Sequence, residues 1–183
     1  MFDLCDDLLT SKSRTDGQWN RAGQMNMSAS GPTPSMGQRI VAIQVAALCW
    51  RLRKGLVEVL LITSRETGRW VIPKGWPISG MTAAKAAARE AWEEAGVRGQ
   101  VQAQPIGDYH YDKITGPAQV KRCAVTVFGL RVDILKDRFP EATLRRRTWF
   151  GVREAAGLVA EPDLCALLTT VAEHPDRLAG LEP

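Results

Sequence analysis

The stretch from Gly75 to Val97 constrains this chain more than any other. Its second half, from Ala83 to Ala95, is alanine-rich, and alanine is the strongest helix former. Thr82 stands where an N-cap belongs and Gly96 where a left-handed residue ends a helix. At about 100° per residue, Glu90, Glu93 and Glu94 share one face of that helix. Ala84, Ala88, Ala91 and Ala95 share the opposite face, and such small residues let it lie close against a sheet. The spacing therefore predicts a helix that shows three carboxylates to whatever space lies on its other side.

Three carboxylates on one face cost free energy. Like charges three or four positions apart on an exposed helix destabilise it by about 0.2–0.5 kcal/mol per pair. In a half-buried cleft, at an effective dielectric near 20, the repulsion is roughly 3 kcal/mol per pair. Lys85 and Arg89 are the local counter-charges. A divalent cation with oxygen ligands resolves the clash, and magnesium typically takes one or two carboxylates together with substrate phosphates. A plain solvated acidic face is the competing reading for a glutamate-rich helix taken alone.

The glycine–helix–glycine frame around the carboxylates resembles the Nudix box, the loop–helix–loop of the Nudix hydrolases. Gly75, Arg89, Glu90, Ala91, Glu93, Glu94, Gly96 and Val97 all match that pattern, and Met81 stands where the pattern has a glutamate. The Arg-Glu-x-x-Glu-Glu-x-Gly core is highly specific. The resemblance implies an α+β fold: the Nudix α/β/α sandwich with a central mixed β-sheet, the box loop–helix–loop and C-terminal helices.

The rest of the chain agrees with such a fold. Residues 1–37 are rich in Ser, Gly, Asn, Thr and Pro, without sustained periodicity, and read as a disordered N-terminal tail ahead of one domain over residues 38–183. Ile40–Arg53 and Leu56–Ser64 read as a hairpin turned at Lys54-Gly55. Trp70–Pro73 reads as a short strand, Gly99–Gln104 and Ile106–Lys113 as two more, and Ile114–Pro117 as a turn. Val120–Val132 and Arg145–Gly151 complete the strands, and a polar loop, Lys136–Leu144, lies between them. Arg153–Val159 and Pro162–His174 read as helices.

Composition narrows the function classes. With 183 residues, 45% hydrophobic and 24% charged, the chain suits one soluble, cytoplasmic domain. It has no apolar run of about 18 residues and no secretory signal pattern, so no membrane association is expected. The four cysteines, Cys5, Cys49, Cys123 and Cys165, are far apart and form no CxxC pair, which argues for free thiols and against zinc. A formal charge of +4 suits anionic substrates but is too weak a bias to argue nucleic-acid binding.

Outside the box, Leu60–Arg65, Arg69–Pro73 and Arg146–Phe150 look like the diphosphoinositol polyphosphate phosphohydrolase group, whose accessory motifs also occur in enzymes that cut dinucleoside polyphosphates. Carried onto matching positions, the resemblance makes Glu90 and Glu94 ligands of Mg2+ (or Mn2+), with the backbone carbonyl of Lys74 as a third. Glu93 matches the general base, and Arg89 would orient the carboxylates. Thr63, Ser64, Arg65 and Arg122 match positions that hold substrate phosphates, as does one of Arg145, Arg146 and Arg147, with Arg146 favoured. For those last three a solvated strand edge competes on equal terms. Trp149 and Phe150 read as core rather than as a stacking platform.

The resemblance thus implies a metal-dependent pyrophosphohydrolase acting on a small phosphorylated substrate, with water attacking phosphorus. Two departures bear on it. Met81 cannot help hold a metal, and Ala42 and Gln44 stand where the inositol-pyrophosphate enzymes carry cations. A highly phosphorylated inositol needs a dense positive cradle, so the sequence favours a nucleoside diphosphate linked to another moiety, such as a dinucleoside polyphosphate. The competing reading is a non-catalytic nucleotide sensor or binding module that keeps the fold. RNA binding through Arg145–Arg147 is a weaker third.

Overall fold

The computed structural model describes residues 42–116 and 119–178. The expected tail and the start of the domain lie outside the described residues.

The first strand, β1 (Ala42–Arg53), and the second, β2 (Leu56–Thr63), form the expected hairpin, with Arg53 opposite Leu56. Its two turn residues, Lys54 (φ 52°) and Gly55 (φ 78°), are both left-handed. That pairing matches the twist of the strands it joins and lets the hairpin close in two residues. The expected strand at Trp70–Pro73 divides instead into β3 (Trp70–Val71), which pairs with β2, and β4 (Lys74–Gly75), which pairs with β1. Pro73 lies at the division; it has no N–H for a ladder, and its carbonyl accepts from Ala47 N–H at 3.0 Å.

Helix α1 (Ala83–Ala95) follows, then β5 (Val97–Val101), β6 (Gly107–Gly116) and β7 (Gln119–Leu135). Strand β5 begins at Val97 rather than Gly99, because Gly96 turns the chain straight from helix into strand. The expected turn at Ile114–Pro117 gives way to strand through Gly116, and Pro117 lies outside the described residues. The last strand, β8 (Arg147–Gly151), leads into α2 (Val152–Leu158), α3 (Pro162–Glu173) and a 3-10 turn at Pro175–Leu178.

The sheet runs β3-β2-β1-β7-β5, with β4 also on β1, β6 also on β7 and β8 also on β2. It is mixed: β1 and β7 run parallel, and the other pairs are antiparallel. Strand β1 is apolar at nearly every position because both sheet faces are covered. Val45, Ala47 and Cys49 pack toward Ala84, Ala87, Ala91 and Ala95 of α1. Ala46, Leu48 and Trp50 pack toward Ala155 of α2 and Leu164, Leu168 and Val171 of α3. Helices on both faces of a mixed sheet make the expected α/β/α sandwich.

Candidate active site

Helix α1 is fixed at both ends by residues the sequence singles out. Thr82 Oγ1 accepts from Lys85 N–H at 3.3 Å. Gly96, at φ 68°, donates its N–H to Trp92 O at 3.0 Å. A Cβ at Gly96 would fall 2.5 Å from Lys136 O, so both conformation and space demand glycine there. Arg147 closes this end, since its Nη1 donates to Ala95 O and Lys136 O, each at 2.6 Å. A guanidinium on the last carbonyls suits the negative end of a helix. Arg147 is thereby a cap, which removes it from the three phosphate-binding candidates.

The alanine face packs on the sheet as expected at Ala84, Ala91 and Ala95, but Ala88 is only half-buried and Ala86 and Ala87 take its place. The helix is rotated accordingly, and its three carboxylates differ in environment. Glu94 is 8% exposed, while Glu90 and Glu93 are half-buried.

Glu94 is tied on both oxygens. Its Oε2 accepts from the backbone N–H of Lys74 at 3.0 Å, and its Oε1 takes Nη2 of Arg145. Arg145 is itself buried, with Nε on Glu141 Oε2 at 2.5 Å and Nη1 on Thr63 O at 3.0 Å. The Glu141 backbone N–H returns to Glu93 O at 3.0 Å, which folds the loop before β8 over the helix. Glu93 Oε1 accepts from Arg89 Nε at 2.6 Å.

Glu90 differs from the others. No hydrogen bond or ion pair reaches its carboxylate among the described residues. The group packs against Gly75, where a Cβ would stand 2.1 Å from its Cδ. Burial pushes its pKa up to about 7, and repulsion from Glu94, Glu93 and Glu141 adds to the rise. Burial also raises the pKa of Glu94, although Arg145 and the Lys74 N–H oppose the shift. The Lys74 ammonium moves down for the same reason, opposed by Glu94 and Glu161.

The phosphate-binding candidates divide. Thr63 is buried, and its Oγ1 accepts from Arg146 N–H at 2.9 Å, so it anchors the start of β8. The Ser64 and Thr67 hydroxyls meet at 2.6 Å within the turn between β2 and β3. Arg65 joins the carboxylate cluster through Glu141, at 3.4 Å, and the Arg146 side chain is exposed. Arg122 stands apart with Asp112, at 3.4 Å, on the wall of a cavity of about 290 Å³. Arg69, His110, Tyr111, Glu161 and Asp163 also line that cavity. Lys74 connects the two places: its backbone holds Glu94, and its ammonium stands 5.3 Å from the Tyr111 ring.

Trp149 and Phe150 pack against the core, as expected. The Arg51 guanidinium covers the Trp149 ring at 4.1 Å and Trp70 meets Phe150 edge-on at 5.2 Å, so neither ring is open for stacking. Sequence reading leaves Glu141 in a polar loop and takes Arg145 only as one of three phosphate-binding candidates, not as the partner of Glu94 and Glu141. The spacing of Glu141 and Arg145, four positions apart with opposite charge, was the available signal.

Among the described residues no three acidic, His or Cys side chains stand as a ready-made metal cage. The donor chemistry still fits a hard divalent cation, because an unpaired, half-buried carboxylate among three others lacks a positive partner. Cys49, Cys123 and Cys165 form no disulfide among the described residues.

The NUDIX domain matches residues 42–166. Nudix hydrolase 12, mitochondrial, of Arabidopsis thaliana is 33% identical over 105 residues, which covers 56% of this chain and 52% of that protein. Diphosphoinositol polyphosphate phosphohydrolase 3-beta of Bos taurus is 31% identical over 114 residues, covering 61% of this chain and 65% of that one. The chain spans about half the length of the plant relatives it matches. Among solved structures, the C. elegans Ap4A hydrolase superposes with a TM-score of 0.54 at 19% identity, over 73% of this chain and 97% of that one, which is a likeness of fold. With the box residues gathered on one capped helix and the domain matched across most of the described sheet, the chain belongs to the Nudix family.

Proposed function

We propose that this chain is a divalent-metal-dependent pyrophosphohydrolase that cleaves a nucleoside diphosphate linked to another moiety. The observation that carries the reading is Glu90, half-buried against Gly75 without a cationic partner, beside Glu93, Glu94 and Glu141. Glu90 and Glu94 would hold Mg2+ or Mn2+, with the Lys74 carbonyl as a further oxygen. Such a cation neutralises pyrophosphate oxygens and acidifies a bound water.

The chain's own groups do the rest. Arg89 fixes Glu93 by one oxygen, leaving the other to take the proton of the attacking water. Arg65 and Arg146, at the exposed rim of the cluster, meet the phosphates. Arg145 keeps Glu94 and Glu141 together, with a separate nitrogen on each. Most of the acceleration then comes from positioning and electrostatics.

The substrate reading rests on charge. Gln44 is 4% exposed and accepts from the Tyr111 hydroxyl at 2.7 Å, and Ala42 is buried. The cavity beside Lys74 has two arginines against three carboxylates on its wall. Neither place offers the dense positive cradle that a highly phosphorylated inositol needs, although several relatives are named for diphosphoinositol polyphosphates and some fold neighbours for Ap4A.

The test is a panel of dinucleoside polyphosphates, ADP-ribose, nucleoside triphosphates and inositol pyrophosphates with magnesium or manganese. Release of product from the nucleotide members is expected. No turnover of any compound at micromolar enzyme overturns the reading. A non-catalytic nucleotide sensor is the second reading, favoured by Glu94, whose oxygens are both already bonded within the protein, and by Met81. Tight binding that ignores metal and yields no product would establish it.

A further inference from the structure

One aromatic ring beside the carboxylate helix is left open to water. Trp76 is 50% exposed, whereas every other aromatic ring among the described residues is buried or half-buried. An indole in water forgoes what its large apolar surface would gain by burial. Trp76 is nonetheless held in place. It follows Gly75, against which the Glu90 carboxylate packs, and it precedes Pro77, whose ring confines the residue before it to extended backbone. The Lys113 ammonium stands 5.8 Å from the centre of its ring, so one face of the indole carries a cation.

The neighbours of Trp76 lead back to the carboxylates. Tyr111 and Lys113 are two residues apart on β6, so their side chains share one face of the sheet. The Lys74 ammonium stands over Tyr111, at 5.3 Å, and Trp76 stands under Lys113. The indole therefore lies on the same side of β6 as the Lys74 ammonium, about 7 Å further along the strand. Lys74 in turn donates its backbone N–H to Glu94. A ring seated on Trp76 would thus lie about one sugar away from groups already joined to the carboxylates.

We propose that Trp76 is the platform for the substrate's base, which stacks on the indole face turned away from Lys113 while the phosphates lie toward the carboxylates of α1. This rests on the nucleotide reading above. A flat aromatic ring matches a flat aromatic face, and offset stacking is its preferred geometry. An inositol bearing charged phosphates all round has no such face to offer. Stacking reads no hydrogen-bonding edge, so adenine and guanine should be held alike.

The test measures equilibrium binding to the full chain by calorimetry, in magnesium-containing buffer and without reference to turnover. The probes are AMP, GMP and ribose 5-phosphate, which has the same sugar and phosphate without a base. The natural protein is expected to bind AMP and GMP about 5- to 150-fold more tightly than ribose 5-phosphate, the range for stacking one base. Trp76→Ala should bring both nucleotides down to the level of ribose 5-phosphate and leave ribose 5-phosphate itself unchanged. Trp76→Phe should keep part of the gap and Trp76→Leu none, which separates stacking from mere apolar cover. AMP should also quench the tryptophan fluorescence of the natural protein but not that of Trp76→Phe, a readout that decides alone should Trp76→Ala fail to fold. Equal AMP binding by the natural protein and a folded Trp76→Ala overturns the proposal, as does equal retention by Trp76→Leu and Trp76→Phe. A natural protein that binds AMP no better than ribose 5-phosphate overturns it too. Nucleotide binding lost in Trp76→Ala, without hydrolysis by the natural protein, would count against the proposed reaction and leave the stacking role standing.

Discussion

At the scale of single residues, the site is a set of carboxylates in unequal surroundings. Glu90 has a folded pKa of about 7, well above the ordinary carboxylate value of 4.5. The native state therefore binds its proton more tightly than the unfolded chain does. Metal-free stability should fall as pH rises from about 4.5 to 7 and level off above that. Glu90→Gln should accordingly raise the metal-free melting temperature at pH 8 and leave it unchanged near pH 4, which thermal unfolding at the two pH values would check. Arg145 is the reverse case, a buried cation shared by Glu94 and Glu141. Arg145→Met should cost roughly 3 kcal/mol at pH 8, as for one lost partner of a buried ion pair. The cost should be smaller at pH 5, where Glu94 can take up a proton, and urea unfolding at both pH values would show the difference.

At the scale of elements, α1 and its two glycines explain why some of the site was legible and some was not. Thr82, Gly96 and the alanine face follow local rules of helix capping and period, so the sequence alone places them. The splitting of the Trp70–Pro73 strand and the late start of β8 follow from pairings with β1 and from Arg145 turning inward, which no local pattern encodes. Glu141 belongs to the site only because its loop folds back onto Glu93, a contact between distant elements. Gly75 shows the same dependence from the other side, since its lack of a Cβ makes room for Glu90. Gly75→Ala would press on the far end of a flexible side chain, so its effect on melting temperature should be small. The displaced Glu90 carboxylate should nevertheless raise the magnesium concentration needed for half-maximal rate several-fold, and rate against magnesium would measure it.

At the scale of the whole molecule, the continuous apolar run of β1 is explained by cover on both sheet faces, with α1 on one side and α2 and α3 on the other. That two-sided core was legible from hydrophobic runs and helix periods. The cavity at Glu161 was not, because the turn before β3, β6, β7 and the start of α3 meet there from distant parts of the chain. Among the described residues no helix is long and apolar enough to cross a membrane. We propose that residues 1–37 act as a tail apart from the catalytic domain, on their Ser-, Gly- and Pro-rich composition. Deleting Met1–Gly37 should leave activity and melting temperature nearly unchanged, and a large fall in either would show that the segment packs on the domain.

We propose a division of labour on one helix, with Glu90 and Glu94 for the metal and Glu93 for the proton. The most direct test is the initial rate of dinucleoside polyphosphate hydrolysis against magnesium concentration, in the natural protein and in Glu90→Ala, Glu94→Ala and Glu93→Ala. Losses that shrink as magnesium rises are predicted for the first two. For Glu93→Ala a loss of about 10²–10⁴-fold that magnesium does not restore is predicted, the range for removing a general base. Equal losses in all three, indifferent to magnesium, would contradict the account.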